Sequence, residues 1–242
     1  MQADIVNLHH FYQTPLGQTA QRMINDKLSK LWPAVRNEDI LGFGYTNPFL
    51  PTFEGNDNRI LSFMSCGQGA IPWPHPGPSR VALVDPYALP LPDRSISRCL
   101  IVHGLEGCID PAQFLREIWR VLADGGRLLV LAPNRRGLWA RSMVTPFGWG
   151  QPYTGRQLFE VATQSWFSPF KPLYSLYVPP SLNPTLISLA PSFERFGQRY
   201  TKKLGGVVIL EAQKLVYCGR KVGLKKNWSP QIFIPPVPAT GA

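Results

Sequence analysis

The run Cys99-Leu100-Ile101-Val102-His103, the helix announced by Asp110-Pro111, and Gly125-Gly126-Arg127-Leu128-Leu129-Val130-Leu131 decide the fold. The apolar residues ending at His103 read as a buried strand. Asp110 supplies a helix-capping carboxylate, and Pro111 suits the first helical position, where its missing N–H costs nothing. Phe114, Leu115, Ile118, Val121 and Leu122 then recur at helical spacing and make one apolar face. The glycine pair is the expected helix stop. Leu128 to Leu131 is continuously apolar, as in parallel strands covered on both faces. A strand, a helix and a second strand in this order form a crossover unit of an α/β sheet.

The same pattern extends outward. Upstream, Val81 to Val84 reads as a strand ending at Asp85, Ile60 to Met64 as another, and Ile40-Leu41 as a third that enters a Gly42-Phe43-Gly44 turn. Thr14-Pro15 opens a helix carried by Leu16, Ala20, Met23, Ile24, Leu28 and Leu31, stopping near Trp32-Pro33. Downstream, Thr154 and Gln157 form a capping box for a helix to about Ala162. Residues 168–192 are proline-rich and read as irregular. Val207 to Leu210, Glu211 and Lys214 to Tyr217 read as one long strand or a hairpin. The expected organisation is a single domain over 1–222, with an N-terminal helical cap at 1–35, a core at 39–165, and a basic, proline-rich tail at 223–242.

With 242 residues, 44% hydrophobic and 17% charged, the chain has the composition of an ordinary globular domain, and its 25 prolines predict many loops. No apolar stretch is long enough to span a bilayer, and the N-terminus lacks a secretion pattern. Cys66, Cys99, Cys108 and Cys218 show no CxxC spacing, so a reduced, cytoplasmic protein is expected. His9-His10 lacks further ligands for a metal. Charge is uneven: residues 1–124 carry 10 basic and 12 acidic side chains, net −2, and residues 125–242 carry 15 and 3, net +12. A basic second half suits an anionic partner such as RNA, or a solvated surface.

Ligands of open α/β sheets bind outside the carboxyl ends of the strands. One stretch there resembles the class I S-adenosylmethionine-dependent methyltransferases, specifically the group with a methyltransferase type 11 signature. It runs Ala88-Leu89-Pro90-Leu91-Pro92-Asp93, Leu105-Glu106, Asp110-Pro111, Leu115-Arg116-Glu117-Ile118-Trp119-Arg120-Val121-Leu122 and Gly125-Gly126-Arg127-Leu128. The resemblance covers residues 39–165. It implies a Rossmann-like, mostly parallel seven-stranded sheet with an antiparallel last strand, and S-adenosylmethionine as methyl donor. It also implies donor-binding roles for Gly42, Phe43, Gly44, Met64, Asp85, Ala88 and Leu89. His103 and Glu106 are the candidate catalytic residues, His103 as a base near its ordinary pKa.

The chain departs from the family pattern in several places. The acidic residue before the glycine loop is Ile40, with Asp39 one position early and hence on the opposite strand face. The third glycine is Thr46. The ribose-binding acid falls on Met64 or Ser65. Pro86 lacks the N–H that would meet the adenine ring, and Gly107 replaces a histidine. Two functions follow: a methyltransferase acting on a small molecule or RNA, or a catalytically silent relative that binds or regulates. Further candidates are Tyr12 as a pocket residue, Trp73 for stacking, and Arg135-Arg136 for an anion. Trp139, Phe147, Trp149 and Tyr153, with Arg141 and Arg156, suit nucleic acid or an apolar pocket.

Overall fold

Parallel pairing of short apolar strands builds the centre of the molecule. The computed structural model describes residues 4–55, 57–74 and 76–215. Strands β1 (Asp39–Gly44), β2 (Arg59–Ser65), β3 (Val81–Val84), β4 (Ile96–Val102) and β5 (Leu122–Pro133) run parallel. The last strand, β8 (Val207–Lys214), is antiparallel to β5. β6 (Phe167–Pro169) and β7 (Leu173–Ser175) lie antiparallel along the other side of β8. The order is β3-β2-β1-β4-β5-β8-β6, with β7 beside β6 on β8. β6 and β7 follow one another along β8 with a one-residue change of register. Together they make one edge strand interrupted at Phe170-Lys171-Pro172, because proline cannot donate to the ladder. This interruption explains eight strands where seven are expected.

Helices cover both faces. α1 (Ile5–Gln13) and α2 (Pro15–Leu31) pack with Ile40, Met64, Leu100, Leu129 and Ile209 on one face. α3 (Pro111–Val121) and α4 (Gly155–Gln164) pack with Leu41, Phe43, Ile101, Val130 and Leu210 on the other. The caps are those read from the sequence. Asp110 Oδ1 accepts from the Ala112 and Gln113 amides, and Thr154 and Gln157 close their reciprocal box.

Four expectations are corrected. Gly42-Phe43-Gly44 is not a turn but the end of β1, held by ladders on both sides: Phe43 pairs with Phe63 and Ile101. α3 stops at Val121, before the glycine pair, because Leu122 already pairs with Ile96 in the sheet. Residues 168–192 are not irregular: they contain β7, α5 (Pro184–Ser188) and the start of α6 (Ala190–Tyr200). α1 is a separate helix with Asp4 as its cap. Among the described residues the chain from Val207 forms one strand, Val207–Lys214; Val216, Tyr217, Cys218 and the tail at 223–242 lie outside the described residues.

Lys214 ties the last strand to α3. It is buried, and its Nζ donates to the carbonyls of Trp119 and Leu122 at 2.8 and 2.7 Å, over the Trp119 ring. These carbonyls belong to the helix C-terminus, where a cation is favoured. Lys214→Met keeps the apolar stem and removes the donor. We expect a loss of about 2–4 kcal/mol in urea unfolding, from two carbonyls left unsatisfied. A loss within error of zero would mean water replaces the ammonium.

Candidate active site

Strand order reverses between β1 and β4, and the crevice at their carboxyl ends is where an open sheet binds ligands. A cavity of about 350 Å³ opens beside this point. It is lined by Ser65, Cys66 and Gly67 after β2, Asp85, Pro86 and Tyr87 after β3, and Gly104, Gly107 and Cys108 after β4. Asp85 Oδ1 accepts from the Tyr87 amide at 2.8 Å, and the Asp85 carboxylate is exposed. The Tyr87 hydroxyl accepts from the Ile109 and Asp110 amides, so it fixes the loop after β4. Burial, with Glu106 and Asp110 nearby, pushes the Cys108 thiol up to about 12 and keeps it neutral.

A buried polar chain lies next to the cavity. His103 ends β4 in the left-handed region, φ +51°, which costs a non-glycine residue on the order of 1–3 kcal/mol. Its carbonyl accepts from Gln68 Nε2 at 2.8 Å. Its ring joins Glu106 Oε1 through Nδ1 (3.0 Å) and the Tyr12 hydroxyl through Nε2 (2.9 Å). Burial, reinforced by Tyr45 and Glu106, raises the Tyr12 phenol well above its ordinary value. Tyr12 therefore keeps its proton, and the tautomer of His103 sets which partner donates at each ring nitrogen of the Tyr12–His103–Glu106 chain. Phe147 packs on the imidazole at 4.7 Å.

Several buried polar atoms here have no protein partner: Thr46 Oγ1 after β1, Gln68 Oε1 after β2, Glu106 Oε2 after β4, and Thr145 Oγ1 and Tyr153 Oη after β5. Among the described residues only Asn25 Oδ1 and Trp119 Nε1 share this condition elsewhere. Unpaired buried polar groups cost about 1–3 kcal/mol each. Five of the seven such atoms among the described residues thus follow the carboxyl ends of the parallel strands.

His103 and Glu106 are thus brought together, and Asp85 lines the cavity. The other candidates are placed differently. Met64 is fully buried in the core, and its neighbour Ser65 faces the cavity. Leu89 is a core residue whose amide donates to Glu117, and exposed Ala88 forms a bridge with Asp85. Phe43 packs on Phe114 at 4.5 Å. Gly42 lies under Thr46: a Cβ there would sit 2.2 Å from Thr46 Oγ1. Gly44 has φ +83°, and a Cβ would fall 2.3 Å from the Val102 carbonyl oxygen. Asp39 pairs with Arg59 at the amino end of β1, the wrong end for a donor.

Trp73 is buried in the core away from the cavity, and Arg135 binds the Pro152 carbonyl. Trp139, Phe147 and Tyr153 are core residues, not an exposed stacking surface. His9 Nδ1 meets the Tyr45 hydroxyl at 3.2 Å. Gln68, Cys108 and Tyr87 escaped the sequence reading, since nothing in their spacing distinguishes them from loop residues.

Residues 66–130 match the family model for a methyltransferase domain. An uncharacterised Escherichia coli protein, YafS, is 35% identical over 85 residues, 35% of each chain. The ubiquinone/menaquinone biosynthesis C-methyltransferase UbiE of Hahella chejuensis is 54% identical over 44 residues, 18% of each chain. The chain thus spans about a third or less of the length of the curated relatives it matches. A solved structure from Thermotoga maritima, described as a methyltransferase and possible histamine N-methyltransferase, superposes with a TM-score of 0.60 at 17% identity, covering 87% of this chain and 96% of that one. At that identity the likeness establishes the fold.

The buried phenols make alkaline stability a probe of this site. Burial raises Tyr12, and it raises Tyr45 from 10.0 to about 12. A raised folded pKa gives stability that is fully present below the unfolded value near 10 and is lost as pH climbs through the folded value. Urea midpoints should fall from about pH 10 upward, and Tyr45→Phe should flatten the part of that slope up to about 12. An unchanged slope in Tyr45→Phe and Tyr12→Phe would mean that both phenols are solvated.

Proposed function

We propose that the chain, whose residues 66–130 match a methyltransferase domain, is a class I S-adenosylmethionine-dependent methyltransferase that transfers a methyl group from S-adenosylmethionine to a small-molecule acceptor. The observation that carries this reading is the cluster of unpartnered buried acceptors at the carboxyl end of the sheet. Thr46 Oγ1, Gln68 Oε1 and Glu106 Oε2 suit the ammonium of the donor's amino-acid end. The cavity beside Asp85 suits its adenosine end, with the exposed Asp85 carboxylate accepting from the purine amino group. When bound, the donor supplies a methyl group already made electrophilic by its sulfonium.

The chain's own residues then orient the acceptor and handle its proton. Glu106 holds the imidazole of His103 through Nδ1. Nε2 is the basic atom once the Tyr12 hydroxyl leaves it. Tyr12 belongs to α1, which is also held by the Ile5 amide on the Gln68 carbonyl. Loading the donor therefore requires α1 to shift. A small acceptor is favoured over RNA because the aromatics after β5 are buried.

A specific observation supports the alternative, a silent relative. Gly42 to Thr46 are all buried in protein, and Ser65 offers no carboxylate to the ribose. Calorimetric titration with S-adenosylmethionine and S-adenosylhomocysteine separates the two. We expect micromolar binding that Asp85→Ala weakens roughly ten- to 150-fold, the worth of one charge-assisted hydrogen bond. Absence of binding to a folded, donor-free protein at millimolar ligand would establish the silent reading.

A further inference from the structure

The outer side of α6 is unlike the surface of a helix made only to be solvated. Its inner side is accounted for. Ala190 and Gly197 are buried, with Gly197 against the Tyr177 ring, and Glu194 accepts from Ser175 Oγ and the Tyr177 amide. Outward, Leu189, Phe196 and Tyr200 follow at intervals of seven and four, which puts them on one stripe. Phe196 and Tyr200 are 60% and 64% exposed, with their rings 4.8 Å apart. Arg195 and Arg199 form the adjacent stripe, and Lys202 and Lys203 continue it past the helix end. The only acidic residue between 182 and 204 is the inward-facing Glu194.

The apolar surface continues beyond the helix. Leu204 is 53% exposed, and the neighbouring loop after β5 exposes Leu138, Met143 and Val144. Gly137 and Gly205 touch so closely that a Cβ on Gly137 would lie 2.5 Å from the Gly205 oxygen, so Leu138 and Leu204 flank one junction. Both loops meet at the Pro133–Val207 end of the β5–β8 ladder, the carboxyl end of the parallel strands. The patch therefore borders the same end of the sheet as the cavity.

We infer that this face docks on an anionic lipid bilayer, with α6 lying in the plane of the interface. Exposed Leu, Met, Val, Phe and Tyr require an apolar phase on the other side. Arg195 and Arg199 beside them call for negative headgroups on that phase, whereas Lys202 and Lys203 share a cavity with the exposed Glu160, and Asp26 lies beside the start of the helix. RNA would satisfy the cations but leave the aliphatic side chains in water. The inference rests on this surface alone and does not depend on donor binding.

Sedimentation of the full chain with vesicles tests it. Phosphatidylcholine vesicles should leave it in solution, and vesicles with about one part in three of phosphatidylglycerol should carry it down at low salt. Arg195→Glu with Arg199→Glu should weaken that binding roughly thirtyfold or more, at about fivefold per cation removed from an anionic surface. Phe196→Ser with Tyr200→Ser should weaken it at least about tenfold with the charge intact. Neither pair should lower the melting temperature, since both lie on the exposed face. Absence of vesicle binding overturns the inference. So does equal binding by the Phe196/Tyr200 variant and the parent, or binding of a single-stranded RNA oligonucleotide in place of vesicles.

Discussion

The close approach of β1 and β4 at their carboxyl ends is the constraint on which the site depends. Gly44 permits it: at φ +83°, a Cβ would meet the Val102 carbonyl oxygen at 2.3 Å and the Gly104 nitrogen at 2.8 Å. Both neighbours are backbone of a central strand and its turn, so no side-chain rotation relieves the clash. Gly104 is equally confined, with Phe43 2.9 Å from its would-be Cβ. β4 must then turn immediately after Val102, and His103 makes the turn with a left-handed backbone. The strain is held because three bonds determine the residue: Gln68 on its carbonyl, and Tyr12 and Glu106 on its ring. The glycines of the first strand thus set the strand ends, and the strand ends place the histidine.

Charge gives the same site its sign. Burial first, with Glu106 as a secondary cause, raises the pKa of Tyr12, Tyr153 and Cys108, three groups that surround this carboxyl. Among the described residues no lysine or arginine bonds to it, and Oε2 has no partner. A buried oxygen without a partner is costly. Under the function proposed above, the ammonium of S-adenosylmethionine would give Glu106 Oε2 that partner, whereas Ile40 and Ser65 offer the rest of the donor no carboxylate.

Much of the fold was legible because its signals are local. Asp110-Pro111, the Thr154–Gln157 box and Thr14-Pro15 are caps whose geometry follows from the residues themselves, and the structure shows each one. The continuous apolar runs likewise became the parallel strands. Failures came where tertiary pairing outweighed local preference. Gly42-Phe43-Gly44 reads as a turn, but two flanking strands satisfy its backbone and draw it into the sheet. Gly125-Gly126 reads as a helix stop, but the pairing of Leu122 with Ile96 ends the helix earlier. α6 was hidden because apolar residues lie on both of its sides, Phe193 against the core with Ala190 and Gly197, and Phe196 and Tyr200 outward, which blurs the one-sided pattern of a surface helix. In the site, His103 and Glu106 were visible three residues apart. Gln68 was not, since its bond to His103 spans 35 positions and depends on the β2–β4 arrangement.

The excess of positive charge in the second half shows why a count of cations is a poor guide to a surface. Lys214 is consumed by the end of α3, Arg127 by Glu211, Arg156 by Glu160 and Arg135 by the Pro152 carbonyl. Lys214 is a structural cation in the interior, and the arginines already have partners within the described chain. The aromatics that seemed to interleave with them are mostly interior: Trp139 donates its Nε1 to Val178, and Phe147 packs on His103. What distinguishes α6 is not that it is basic. Arg199 lies over the Tyr200 ring and Arg195 reaches Ser192 Oγ, so these cations are held against the exposed apolar stripe and not against a carboxylate. A solvated surface explains the cations and not the apolar stripe beside them. A counterpart that is anionic at its surface and apolar just beneath accounts for both.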